Sequence, residues 1–415
     1  MRISRGSIHH EIHEDILSLI HSCVDPGLSK AASAKQKTEV EDAITLYFRT
    51  KDSKLYTLAR TALLEILLSL DLEKGSKVLM TPINIYPMKE VIEHVGCTPI
   101  FVDIDPGHAF LPSLDDLEKQ LRMKPACFLI THLFGMAGNI EEIAELCRRY
   151  DVILIEDISQ SIGARYNGKH LGTFGDFAIC SCSITKYLDA YGGGFALIND
   201  NHSNFASSSL NALEMRPPSR RRLTSSIFTT LAWNIALSLS FFSVFTYPVL
   251  RIVLRLDKKL YGRLLGAKIK EMGSDTLPSF YTEDISVLQA RMIARGLERL
   301  DYIIRQRREC FDKFSEAYEA VHGCRYIIGT DIELEDISSY HVYWQVLLPV
   351  GKQDNARYQL LKLGIETGGT NLPVLGSESV SESWRIKNNM LFVPLHKGLG
   401  VNDYASIISA YKLLG

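Results

Sequence analysis

A chain of 415 residues exceeds what one hydrophobic core ordinarily organises, which predicts two domains. Hydrophobic residues at 46% with charged residues at 23% exclude a disordered chain, and a net charge of -2 excludes the basic excess of a nucleic-acid binder. The cysteines (Cys23, Cys97, Cys127, Cys147, Cys180, Cys182, Cys310, Cys324) form no C-x-x-C and several lie in apolar runs, a usage that suits a reducing cytosol.

The opening residues MRISRGSIHHEIHED contain no apolar signal core, so a cytoplasmic location is expected. His9 and His13 share a helix spacing, but no third ligand stands near them, so no metal site is expected. Residues 8–23 and 37–49 read as helices around a linker at Pro26-Gly27, forming an N-terminal segment over 1–55. From 56 to 200 short apolar runs alternate with helical stretches, in a large α/β domain expected over 56–283. The runs are Lys77–Met80, Pro99–Asp103, Cys127–Thr131, Val152–Ile155, Ala178–Ser183 and Phe195–Ile198. Runs apolar throughout their length are expected of parallel strands covered on both faces. Helices are predicted at 61–71, 87–95, 113–122 and 140–150, with Ser113 and Asp116 marking one N-terminus. This order predicts an α/β layer with a mostly parallel sheet. Residues 284–415 read as a smaller α+β domain: a long amphipathic helix over 284–322, then strands at 340–349 and 390–396.

Between the domains, Leu223–Leu250 runs for 28 residues without a charge. Arg220, Arg221 and Arg222 precede it, and Arg251, Arg255, Lys258 and Lys259 follow. As one helix it would reach about 42 Å, enough for a bilayer. A single span is topologically awkward, because the chain must return to complete the same fold. The insert, 223–256 with its flank, is therefore expected either to contact the cytoplasmic membrane face without crossing or to form a subunit interface.

Ligands of parallel α/β sheets gather at the carboxyl ends of the strands. The strand DVILI runs into Glu156-Asp157, where an acidic residue is either a cap or a carboxylate facing a cationic ring nitrogen. FAICSCSITKYLDAYGGG places Ser181 and Lys186 between another strand and three glycines. Alone, such a lysine is usually a solvated one. Tyr86 in TPINIYP and His132 in THLFG also follow strands; core packing and a structural hydrogen bond are their ordinary readings.

In joint order these segments, with ARTALLEILLSL, FVDID, IEDISQSIGARYNGKHLGTFGDFA, VLQARMIARGLERLDYIIRQRR, LLKLGIETGGTNLP and LFVPLHKGL, resemble the DegT/DnrJ/EryC1/StrS group of sugar aminotransferases. The resemblance implies the fold-type I architecture of pyridoxal-phosphate (PLP) enzymes, a homodimer, an amino-acid donor (glutamate) and a keto-sugar acceptor. By position it makes Lys186 the lysine that carries the cofactor and shuttles the proton, and Asp157 the carboxylate that keeps the pyridine nitrogen protonated. It places Gln160 near the 3-hydroxyl, Tyr86 against the ring, and Arg60, Thr61 and Ser181 around the phosphate. Relatives with histidine at the lysine position act as dehydratases, so Lys186 implies transamination. The sequence departs from the family at Tyr187–Gly194, and at Thr282 and Asp284, which stand where Asn and Arg are usual.

Overall fold

The computed structural model describes residues 2–4, 9–24, 30–199, 210–257, 260, 277–326, 338–369, 372–377 and 379–414. The expected linker Pro26-Gly27 and the basic pair Lys258-Lys259 lie outside them.

The centre is a sheet of seven strands. In chain order they are β1 (Asp52–Tyr56), β2 (Lys77–Met80), β3 (Thr98–Phe101), β4 (Cys127–Thr131), β5 (Ile153–Asp157), β8 (Phe177–Ser181) and β9 (Gly194–Ile198). Across the sheet the order is β1-β9-β8-β5-β4-β2-β3. The pairs β8–β5, β5–β4, β4–β2 and β2–β3 are parallel, while β9 runs antiparallel to both neighbours. One strand alone therefore opposes the other six, and the sheet is mostly parallel, as the apolar runs predict. β2 and β4 fall on their expected bounds, and β4 is buried throughout. Two small pairings complete the strands: β6 (Arg165–Tyr166) with β7 (Lys169–His170) and β10 (Ser339–Tyr340), and β11 (Val346–Pro349) with β12 (Met390–Val393).

Helices cover both faces. Ser113 caps the helix Leu114–Leu121 by accepting from the Asp116 amide, as its position predicts. The boundary expected at 55/56 cuts through β1, which pairs with β9 along its whole length. β1 escaped detection because its sequence, DSKLY, mixes charged and apolar residues at a sheet edge.

The long helix Val287–His322 starts with a capping box between Ser286 and Gln289. Its first half gives Ala290, Ile293, Leu300 and Ile304 to the core around the sheet. Its second half gives Phe311 and Phe314 to a second core built with β11, β12 and the C-terminal helix Val401–Lys412. The helix thus belongs to both units, and a boundary at 284 marks where it begins rather than where one core ends.

The uncharged stretch is not one helix. It forms Arg220–Leu237 and Tyr247–Leu256, joined by a short α-turn and a π-turn at Phe242–Thr246. The two arms, taken from Phe242 onward in the second, meet at 79°. Among the described residues no single helix is long and apolar enough to cross a membrane.

Candidate active site

The topology collects the chemistry at one edge. β1, β8, β5, β4 and β2 all end on the same side of the sheet, so the segments that follow them are neighbours. Those segments carry Arg60 and Thr61, Ser181 and Lys186, Asp157 and Gln160, His132, and Tyr86 respectively. Asp157 is the last residue of β5, in register with Thr131 of β4 and Ile179 of β8. Ser181 ends β8 opposite Gly194.

Asp157 is buried, and its Oδ1 accepts the Ser159 amide at 2.9 Å. Burial raises its carboxyl above the ordinary range; the Ser159 hydrogen bonds and the charges of Lys186 and His132 oppose that rise. The Ser159 hydroxyl in turn accepts from the Ser181 amide at 2.9 Å, tying β5 to β8. Burial pushes the Lys186 ammonium down to about 8, against the attraction of Asp157 and Cys180, so its neutral amine is accessible near physiological pH. Its Nζ lies 4.1 Å from the centre of the Trp344 ring. Thr185, just before it, holds φ 73°, an uncommon region for a β-branched residue.

Glu156, the neighbour of Asp157, points to the opposite face of the strand and has a different task. It accepts from His132 Nε2 at 2.8 Å and from the amides of Gly172, Phe174 and Gly175 at 2.7–2.8 Å. Burial would raise its pKa, but these donors together hold it below the ordinary value. It is a structural anchor for the 172–175 loop. His132 is wholly buried, which agrees with a structural histidine, and its Nδ1 has no hydrogen-bond partner. Gln160 is oriented by the Phe134 amide, which donates to its Oε1 at 3.0 Å and leaves the side-chain NH2 as the available donor. Tyr86 opens the helix Tyr86–His94, its ring part-buried.

At the start of the helix Ala59–Ser69 no side chain caps the first turn. The Arg60 guanidinium sits 5.1 Å from the Tyr281 ring centre, and its buried Nε has no partner. Arg222 comes to the same place: its Nη2 donates to Thr57 Oγ1 at 2.8 Å and pairs with Glu283 at 2.6 Å. The Thr61 hydroxyl is already engaged, donating to the Tyr281 carbonyl at 3.1 Å. The Ser181 hydroxyl donates to Ser183 Oγ at 3.1 Å.

The residues that depart from the family pattern are paired within the chain. Asp284 accepts from Lys37 at 2.5 Å, and the Thr282 hydroxyl donates to the Ser279 carbonyl at 3.1 Å. After Lys186, Asp189 accepts from the amides of Thr185 and Tyr191, at 3.3 and 3.0 Å. His10 reaches this loop from the N-terminal segment. Its Nδ1 faces Asp15 Oδ1 at 2.9 Å and its Nε2 faces the Asp189 carbonyl at 2.6 Å, an arrangement that favours the charged imidazole, which donates from both nitrogens. Burial disfavours that charge, but the two aspartates prevail and raise its pKa. Asp15 also accepts from Tyr191 and Asn234, each at 2.9 Å.

Sequence reading missed Trp344, His10 and the site-side position of Arg222. Trp344 and His10 lie more than a hundred residues from Lys186 in the chain. Arg222 read as the flank of an apolar run. Among the described residues no cluster of three or more His, Cys, Asp or Glu side chains could hold a metal ion.

Residues 11–237 match the model of the DegT/DnrJ/EryC1/StrS aminotransferase family. The chain belongs to this family. GDP-perosamine synthase of Escherichia coli O157:H7 is 32% identical over 134 residues, 32% of this chain and 36% of that protein. The dTDP-4-dehydro-2,3,6-trideoxy-D-glucose 4-aminotransferase of Saccharopolyspora spinosa is 25% identical over 298 residues, 72% of this chain and 66% of that protein. Across the first four such relatives the chain covers 34% to 66% of their length. The fold extends further: an aminotransferase from Psychrobacter cryohalolentis superposes with a TM-score of 0.67 at 16% identity, covering 97% of this chain and 96% of its own.

The cofactor of the DegT/DnrJ/EryC1/StrS aminotransferases is PLP, and one solved Streptococcus pneumoniae neighbour is described as the PLP-form. The residues here fit that group. Lys186 offers an amine that burial leaves easily deprotonated, Asp157 a buried carboxylate, and Arg60 a buried guanidinium whose Nε has no partner, beside an uncapped helix start.

Proposed function

We propose that this protein transfers an amino group from an amino acid, glutamate, to a keto-sugar carried on a nucleotide, acting as a homodimer. The observation that carries this reading is the meeting of Lys186 and Asp157 at the carboxyl edge of a sheet whose family uses PLP. A nucleotide-sugar acceptor is supported by relatives named for GDP- and dTDP-linked sugars.

When bound, the cofactor supplies an aldehyde to receive the amine and a ring that withdraws electrons. Lys186 would hold it through its deprotonated Nζ and would serve as the base and acid that moves the proton. Asp157, anchored through Ser159, stabilises positive charge on the ring nitrogen. Gln160, its carbonyl fixed by the Phe134 amide, would offer its NH2 to the ring hydroxyl, and Tyr86 would supply an aromatic face to the ring. The amides of Ala59 and Arg60 at the start of the helix, with the Arg60 and Ser181 side chains, would hold the cofactor's phosphate. The Thr61 amide donates to the Leu58 carbonyl, while its hydroxyl holds the Tyr281 carbonyl. Lysine in place of histidine at this position favours transamination over dehydration.

The experiment is the visible spectrum of the purified protein with PLP, before and after glutamate, beside Lys186→Ala. A yellow band that bleaches with glutamate, and does not form normally in the variant, is expected. A wild type that takes up no PLP refutes the reading.

A further inference from the structure

The N-terminal helix Ile12–Val24 is built inside out. Its polar side chains Glu14, Asp15, Ser18 and Ser22 are buried, while Ile12, Ile16, Leu17 and Ile20 are 37% to 55% exposed. The buried face is satisfied by the protein: Glu14 pairs with Arg295 and Arg299 at 3.0 Å, and Asp15 joins the His10–Tyr191–Asn234 network. Water is a poor partner for the face left outside.

Helix Ile12–Val24 packs along Arg220–Leu237, the first arm of the bent pair. Arg220 fastens the two by donating to the Ser22 carbonyl at 2.6 Å and to the Cys23 carbonyl. The second arm repeats the exposure. Phe241, Phe245, Val249, Ile252 and Leu256 recur at helical spacing on one outer face, with Phe245 at 57% and Val249 at 56% exposed. Its inner face, Leu250 and Leu254, packs with Leu361. Between Ile12–Val24 and the first arm runs a groove of about 770 Å³, with Leu19 and Phe228 on its walls and Arg221 at its lip.

Charge identifies the occupant. Residues 220–256 contain five arginines (Arg220, Arg221, Arg222, Arg251, Arg255) and no Asp or Glu, in a chain whose net charge is -2. Arg222 turns inward to Glu283, Arg220 and Arg251 reach backbone carbonyls of Ser22 and Lys362, and Arg221 and Arg255 are exposed. A two-fold pairing of this face with a second copy would bring arginines against arginines. An apolar surface bordered by cations is complementary to an anionic lipid surface. Neither arm alone is long and apolar enough to cross, and the 79° bend between them suits arms lying in the plane of the interface.

We propose that helix Ile12–Val24 and the bent pair Arg220–Leu256 together form one membrane-docking face, seated on an anionic leaflet without crossing it. The proposal is independent of the aminotransferase reading, since binding is scored without cofactor or substrate.

The test is flotation of the full chain with phosphatidylcholine vesicles and with vesicles of equal parts phosphatidylcholine and phosphatidylglycerol. The wild type is expected to float with the mixed vesicles and far less with phosphatidylcholine alone. Ile16→Asp and Phe245→Asp should each cut the bound fraction about tenfold, as expected for losing one buried large apolar side chain. Arg251→Gln with Arg255→Gln should weaken binding to the mixed vesicles only. Thermal unfolding of the Ile16→Asp and Phe245→Asp variants, unchanged because those side chains are exposed, separates lost docking from lost folding. A wild type left behind by both vesicle types overturns the proposal. So does an Ile16→Asp or Phe245→Asp that splits a dimer in light scattering while flotation is unchanged, which would make the face a subunit contact.

Discussion

At the residue scale, two adjacent carboxylates on β5 are driven apart by their surroundings. Glu156 is surrounded by donors and stays ionised; Asp157 has one firm donor, and burial raises its pKa. For Glu156 the folded pKa is depressed, so its stabilisation is present above about 4.5, the ordinary value, and is lost as pH falls through the folded value. Glu156→Gln should cost about 2–3 kcal/mol at neutral pH, by loss of charge-assisted hydrogen bonds, and should flatten the acid limb of a urea-unfolding series. For Lys186 the folded value, about 8, lies below the ordinary 10.5. The unfolded chain then binds more protons between those values, so the cofactor-free protein gains stability as pH rises through that window. PLP uptake, followed by the visible band, should show a midpoint near 8, where the amine becomes a nucleophile. Asp157→Asn should move that midpoint lower, because it removes the charge that favours the ammonium; an unmoved midpoint would show the two groups to be uncoupled.

At the element scale, the strap that carries Trp344 depends on one glycine. Gly135 has φ 82°, and a Cβ there would lie 2.3 Å from the Trp344 amide nitrogen and 2.8 Å from that of Tyr343. Its carbonyl also accepts from the Val342 amide at 2.8 Å. Gly135→Ala must displace the strap or strain the turn, at about 1–3 kcal/mol. Trp344 then loses its place over Lys186, and a changed fluorescence spectrum with slower bleaching by glutamate is expected. A variant with unaltered spectrum and rate would mean that the strap does not shape the site. The same spacing logic explains Gly194, whose added Cβ would meet the Cys180 carbonyl at 2.5 Å where β8 and β9 close on helix Ala59–Ser69.

At the scale of the whole molecule, the long helix Val287–His322 couples the sheet core to the second core. Phe314 is fully buried in the second, against Tyr318, Tyr326 and Tyr404. Phe314→Ala should lower stability by about 3–5 kcal/mol through the cavity it leaves. Because one helix spans both cores, the loss should appear in a single unfolding transition seen alike by far-ultraviolet circular dichroism and by the cofactor band. Two separated transitions would show that the helix does not join the units cooperatively.

The sequence by itself determined the mostly parallel sheet, because strands covered on both faces must be dominated by apolar residues, as β2, β4 and β8 are. It also marked the residues of the proposed site, since Asp157 and Ser181 end such strands, and Lys186 and Tyr86 follow them, at positions a family motif makes recognisable. Only the tertiary structure decided what surrounds them. Trp344 over Lys186, His10 on the Asp189 carbonyl and Arg222 beside Thr57 are contacts between segments far apart in the chain, and no local pattern encodes them. It likewise decided that the uncharged stretch bends by 79° rather than forming one helix, and that helix Ile12–Val24 turns its polar face inward. Periodicity reveals that a helix has two faces; which one is buried depends on the partners the fold brings to it.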